Sequence, residues 1–425
     1  MTILTYKRYY TREIEMKKLI SVIIILSCIL IGCRGKKEYV SSSNHIQYIN
    51  SVYSITDELW LSSMNGINYN DFEKGTRVYA CNKLNCPHDS DSGCMAYPDE
   101  EKGEGFFEYP FLYNDKLYYF DSRYEEVLLI SSNPDGSEKE VVGEHRIELR
   151  GMDVLRVESK LYYWGIVEEK ESTNDGYIDT LSANYEVYEM DLISGDIKQL
   201  SNFGTFYDFN VDKLIYSDGY IYFTYMVQQN SWKDTPYAHP KDRLEAFIEL
   251  SIKDIVELVD LQGVLGKINI DSGEQELYPL NSLDTIVAVT EDKIFIATED
   301  EEELIYYDKN WENKTVLYPA QMIANGMMYT YDFIDNQLIL NVFESYDKLG
   351  NYYVWDDSGN KFIDLEFNVE YSISFEASSD NKLLIALTPL KSYSTSDEWK
   401  YILADKDSFF EGKLIYTEVK VNLNE

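Results

Sequence analysis

Histidine is scarce in this chain of 425 residues: His45, His88, His145 and His239 are the only four, and none sits in a recognisable catalytic phrase. No nucleophile elbow, His-Glu-x-x-His, phosphate loop or dinucleotide fingerprint occurs, which removes the best marked classes of hydrolase, metalloprotease and nucleotide enzyme. Basic residues are also few, 38 Lys and Arg against 75 Asp and Glu, for a formal charge of −37. So acidic a body is repelled by nucleic acid and by anionic headgroups, so no nucleic-acid partner is expected and cations or neutral ligands fit better. Cysteine numbers five, and only three of these lie beyond residue 33. Disorder is excluded as the dominant state by an apolar content of 44%.

What the chain has in plenty is one recurring phrase, Asp, Asn or Ser followed by a run of aliphatic and aromatic residues. It reads Asp57-Glu58-Leu59-Trp60-Leu61, Asp115-Lys116-Leu117-Tyr118-Tyr119-Phe120, Ser159-Lys160-Leu161-Tyr162-Tyr163-Trp164 and Asp218-Gly219-Tyr220-Ile221-Tyr222-Phe223. It returns as Asp292-Lys293-Ile294-Phe295-Ile296, Asn336-Gln337-Leu338-Ile339-Leu340 and Asn381-Lys382-Leu383-Leu384-Ile385. The seven copies are about 44 to 75 residues apart, several near 45, the length of four short strands with their turns. Within most units a second signal follows, a polar hairpin turn such as Asn133-Pro134-Asp135-Gly136, Asp191 to Asp196, Asp271-Ser272-Gly273 or Asp357 to Asn360. Two hairpins per unit make a four-stranded sheet, and repeating such sheets around an axis protects their edges. The fold expected is an all-β propeller over residues 45–425, with seven four-stranded blades and six or eight as alternatives. Leu414 to Val421 alternates as a closing strand that could pair with His45 to Ile55.

At the other end, Lys17 and Lys18 precede an apolar run from Leu19 to Ile31, too short to span a bilayer comfortably, which ends in Leu30-Ile31-Gly32-Cys33. This order resembles a bacterial lipoprotein signal. The resemblance implies cleavage before Cys33, diacylation of that cysteine, and a mature protein held outside the cytoplasm at a membrane. Met16 then reads as the natural start, because Glu13 and Glu15 do not suit a basic flank. Loss of residues 1–32 takes the formal charge to −40, so the lipid has to do the anchoring. Residues 1–33 are thus read as a signal segment and 34–44 as a flexible tether.

Two stretches break the repeat. Residues 226–262 carry Pro240, Leu244, Phe247, Ile248, Ile252, Ile255, Val256 and Val259 at helical spacing, and read as one amphipathic helix on a propeller face. Residues 79–95 hold Cys81, Cys86, His88 and Cys94, where the first unit is expected to turn its later hairpin. Three thiolates and an imidazole suit a closed, structural zinc site. A disulfide with one cysteine left over, and three reduced thiols, are the alternatives. Asp89, Asp91 and Gly93 lack the distal carboxylate that a calcium loop of the EF-hand type needs. The signal, this loop and the repeat phrase together resemble uncharacterised exported propeller lipoproteins of low-GC Gram-positive bacteria, which supply no established activity. The function expected first is a membrane-anchored binding and scaffolding module for a protein, peptide or glycan, with no catalytic residues. The alternative is an extracytoplasmic hydrolase or lyase that acts on glycans through carboxylates.

Overall fold

The structure, a computed structural model, describes residues 46–419 apart from short stretches, the longest being 173–177, 207–213, 319–327, 345–349, 366–370 and 390–399. Cys33, His45, the tether and the turn at 357–360 lie outside the described residues. The first strand, β1 (Ile46–Asn50), stands apart from the blade that follows it. Blade 1 comprises β2 (Tyr53–Ile55), β3 (Leu59–Ser62), β4 (Asn68–Asp71) and β5 (Arg77–Tyr79). Blade 2 is β6 (Phe106–Tyr113), β7 (Lys116–Arg123), β8 (Glu126–Ser132) and β9 (Glu140–His145). Blade 3 contains β10 (Glu148–Val157), β11 (Lys160–Ser172), β12 (Ile178–Asp191) and β13 (Ile197–Gln199), with β14 (Thr205–Phe206) also on β12. Blade 4 follows as β15 (Ile215–Ser217), β16 (Tyr220–Gln228), β17 (Leu261–Asn269) and β18 (Gln275–Leu280). In blade 5 the strands are β19 (Thr285–Val289), β20 (Lys293–Thr298), β21 (Glu303–Asp308) and β22 (Thr315–Tyr318). Blade 6 runs β23 (Met328–Ile334), β24 (Gln337–Phe343), β25 (Asn351–Asp356) and β26 (Lys361–Leu365). Blade 7 ends the ring with β27 (Tyr371–Ser378), β28 (Lys382–Pro389), β29 (Lys400–Asp405) and β30 (Tyr416–Val419).

These are the seven blades expected, and the repeated phrase is the second strand of each. Its polar residue belongs to the turn between strands one and two, where Asn114 and Asp115 both take positive φ, as a tight two-residue hairpin demands. The apolar run that follows is buried on both faces, because each blade is packed between two others. Leu117 and Tyr119 face the blade 1 interface, while Tyr118 and Phe120 face blade 3. Likewise Leu161 and Tyr163 pack toward blade 2, Tyr162 and Trp164 toward blade 4, and all four are at most 1% exposed. Alternation along a strand therefore divides two cores rather than core from solvent.

The 226–262 insertion joins β16 to β17 and folds as two helices, not one: α1 (Pro240–Glu249) and α2 (Ile252–Val259). Ser251 and Asp254 form a reciprocal capping box that restarts the helix after Leu250. Trp232, Ala246, Ile255, Val259 and Leu261 give the insertion its own small core. A third helix, α3 (Lys406–Phe410), connects β29 to β30. No helix among the described residues is long and apolar enough to cross a membrane.

The expected closure is corrected. β30 pairs with β29 alone, while β1 pairs antiparallel with β10, Ile46 opposite Val157 and Asn50 opposite Asp153. Among the described residues no strand is shared between blades 1 and 7. Their seam is instead held by the Asp57 carboxylate, which accepts from Ser379 Oγ and Asn381 Nδ2, both at 2.5 Å, and from Asn381 N at 3.1 Å. Trp60 and Tyr401 pack beside it with ring centroids 5.1 Å apart. Burial pushes the Asp57 carboxyl up, but the Ser379 and Asn381 hydrogen bonds and the Lys382 charge outweigh this and hold it below the usual range. Since the folded value is lowered, the stabilisation is present at neutral pH and is lost as pH falls through the carboxylate range. Asp57→Ala is expected to cost about 2 kcal/mol near neutrality, the loss of charge-assisted bonds. In paired thermal melts the gap between wild type and variant should narrow in acid; a gap that stays constant would show that the carboxylate charge is irrelevant to the seam.

Candidate metal centre

The Cys-rich loop is not a hairpin turn within blade 1; it follows the outer strand β5 and leads to β6, the first strand of blade 2. Two bonds fix its ends to the blade: Ala80 N donates to Ile67 O at 2.9 Å, and Ile67 N donates to Ala96 O at 2.8 Å. Between them the chain folds back on itself. Lys83 Nζ reaches the Gly93 carbonyl, and Asn85 and His88 adopt left-handed φ of 58° and 56°. For side chains with a Cβ this geometry is costly, and it persists here within a loop fixed at both ends.

The result is that Cys81, Cys86, His88 and Cys94 converge, with one ligand atom from each lying within 4.8 Å of the others. His88 Nδ1 is 3.5 Å from Cys94 Sγ, so the imidazole turns that nitrogen toward the thiols. Its ring stacks on Tyr79, centroids 4.7 Å apart, and Arg77 covers the same tyrosine with its guanidinium carbon 5.1 Å from the centroid. This layer holds the imidazole in register, the supporting role that metal sites require of their surroundings. Cys94 is buried at 3% exposure, and burial, then the Cys81 and Cys86 thiols, push its own thiol up to about 12. None of the three cysteines forms a disulfide. Sulfur ligands about 2.3 Å from a tetrahedral ion lie about 3.8 Å from one another, so this group can hold a metal with little rearrangement. Four protein ligands on one tetrahedral ion would leave no open position for substrate.

Sequence reasoning singled out all four residues of this group from their density but missed what surrounds them. Tyr79 carries no signal beyond its place in a strand. Asn82 bonds Asp135 in the turn between β8 and β9, and Gly136 in that turn lies so close to the Ala80 carbonyl that a Cβ would collide with it. The loop therefore joins blade 1 to blade 2. The remaining described histidines serve structure: His145 lies 3.1 Å from the Tyr163 hydroxyl with its pKa lowered by burial, and His239 caps α1. No other metal-ligating group of three exists among the described residues.

No family model matches the chain, and no curated protein matches it. Solved structures do. A Mycobacterium tuberculosis puromycin-hydrolyzing peptidase aligns over 89% of this chain and 55% of its own, with 10% identity and a TM-score of 0.50. A prolyl endopeptidase structure gives 10% identity, 89% and 51% coverage, and a TM-score of 0.50. An oligogalacturonate lyase in complex with manganese covers 85% of this chain and 90% of its own at 10% identity, with a TM-score of 0.42. The chain spans about half the length of the two peptidases. At such identity the likeness shows the propeller fold. The expectation of a non-catalytic binding and scaffolding module is corrected on the two matches at a TM-score of 0.50, both of which are peptidases; the likeness itself extends to the ring alone.

Proposed function

We propose that this chain is an extracytoplasmic enzyme of the hydrolase or lyase class, acting on glycans through carboxylates. It is anchored by a diacylated Cys33 and stapled by one structural zinc at Cys81, Cys86, His88 and Cys94. The hydrolytic peptidases that share its ring support the reaction class. The described histidines are engaged in structural contacts, and this reading takes carboxylates as the acid and base.

One arrangement carries the reading. β6 and β10 are the first strands of adjacent blades, and both begin at the end of the ring opposite the turns between strands one and two. Glu108 is the third residue of β6 and Glu148 the first of β10, both half-buried. Phe106, 78% exposed, precedes Glu108 by two residues and so shares its side of the strand. An exposed aromatic ring beside a carboxylate is a platform on which a sugar can stack. The zinc takes no part in the reaction; its cysteines and histidine brace the loop that leads into β6.

The soluble form lacking residues 1–33 should release reducing ends or unsaturated uronates from some member of a panel of neutral and acidic polysaccharides. Glu108→Gln or Glu148→Gln should lower kcat by about 100-fold or more, the scale of one acid or base, whereas Phe106→Ala should raise KM. Failure of the folded, metal-loaded protein to turn over any polysaccharide sinks the glycan reading. Cleavage of peptides instead would keep hydrolysis and replace the substrate.

A further inference from the structure

The turns between strands one and two lie at one common end of the ring, as contacts between adjoining blades show. Asp57 of blade 1 meets Ser379 and Asn381 of blade 7, Ser217 of blade 4 bonds Thr290 O of blade 5 at 3.3 Å, and the Arg156 guanidinium of blade 3 covers Tyr113 of blade 2. This end is the turn mouth. At the opposite end, the loop mouth, β16 passes into the helical insertion, and β6 and β10 begin with Phe106, Glu108 and Glu148.

β1 threads between them. It is antiparallel to β10, so Ile46 lies beside Val157 at the turn mouth and Asn50 lies farther in. The strand fills the axis with side-chain contacts to several blades. Gln47 Oε1 accepts from Arg156 Nε at 3.2 Å, Tyr48 OH accepts from Tyr216 N at 3.2 Å, and the Tyr48 ring meets Phe333 edge-on. Ile49 is fully buried in the core shared by blades 2 and 3. β1 therefore runs into the ring from the centre of the turn mouth.

We infer that the turn mouth is the membrane-facing side and that the loop mouth, with Phe106, Glu108, Glu148 and the helical insertion, faces outward to a polymeric substrate. This rests on the proposed anchor at Cys33. The twelve residues 34–45 reach at most about 40 Å when fully extended. To bring the loop mouth to the bilayer they would have to cross a four-stranded blade, about 14 Å, and turn back along its outer strand, whereas the turn mouth lies where β1 begins. The turn mouth also carries Asp57, Asp115, Glu158, Asp218, Asp292 and Asp380, so it stands off from anionic headgroups rather than lying on them. A substrate approaching from the far side meets Phe106, Glu108 and the helical insertion, and one approaching from the bilayer meets the start of β1.

The test uses the full chain, processed in a bacterial host and reconstituted into vesicles of neutral lipid, with and without phosphatidylglycerol. A donor dye is placed through a clickable residue at Asp115 or at Lys241, both exposed, and an acceptor dye in the lipid. Energy transfer from position 115 should exceed that from 241 several-fold, and added phosphatidylglycerol should reduce it. Equal transfer, or more from 241, overturns the orientation while leaving the anchor intact. A chain that does not float with vesicles overturns the anchor and this orientation with it.

Discussion

Cys94→Ser is expected to release the metal and to lower the melting temperature by the largest margin of any single change in the first two blades. Wild-type protein should carry one zinc per chain by elemental mass spectrometry, and the variant close to none. Zinc bound to folded protein and not to the unfolded chain contributes its binding free energy to folding, and such sites bind with about 10 kcal/mol or more in small zinc domains. In a domain this large only part of that need appear, since blades 3 to 7 have cores of their own. Loss of the ion should free the chain between Ala80 and Ala96 and loosen the blade 1 to blade 2 contact that Asn82 and Gly136 make. Chelation should move the wild-type melt to the variant's position and leave the variant unchanged, because both remove one object. No metal and a single reactive thiol before reduction would overturn the site and assign a disulfide in its place.

The ring was legible in the sequence because its rule is local. Each second strand must be apolar on both faces, and each must start from a turn that accepts positive φ, so Asp115-Lys116-Leu117-Tyr118-Tyr119-Phe120 and its six relatives advertise themselves. The four metal ligands were legible for a similar reason, three thiols and an imidazole within fourteen residues. Ser251 and Asp254 also carried a readable restart signal that a helical period running through Leu250 obscures. Glu108 and Glu148 were not legible, since among 75 acidic residues only their places at the starts of the first strands of adjacent blades distinguish them. Nor was the position of β1. Ile-Gln-Tyr-Ile-Asn reads like any first strand, and its pairing with β10 across about a hundred residues is set by the shape of the axis, which exists only after the blades have formed.

That placement makes a second large effect measurable. Ile49→Ala is expected to cost about 3 kcal/mol and Ile49→Asp more, because the site is fully buried between blades 2 and 3 and offers a carboxylate no described partner. Tyr48→Ala should cost a comparable amount, since it removes the ring that meets Phe333 and the oxygen that accepts from Tyr216 N. Val141→Ala on the outer strand of blade 2, 59% exposed, should stay within about 0.5 kcal/mol. Were β1 only an arm lying against the ring, urea midpoints of the Ile49 and Tyr48 variants would match that of Val141→Ala. Because no described strand joins blade 7 to blade 1, β1, which touches blades 2, 3, 4 and 6, ties together blades that otherwise meet only their immediate neighbours. Its loss should therefore split the unfolding transition as well as shift it, with the blades nearest the Asp57 seam melting first. A single transition of unchanged slope after Ile49→Ala would show that the ring's cooperativity lies in the interfaces between blades and not in the strand along its axis.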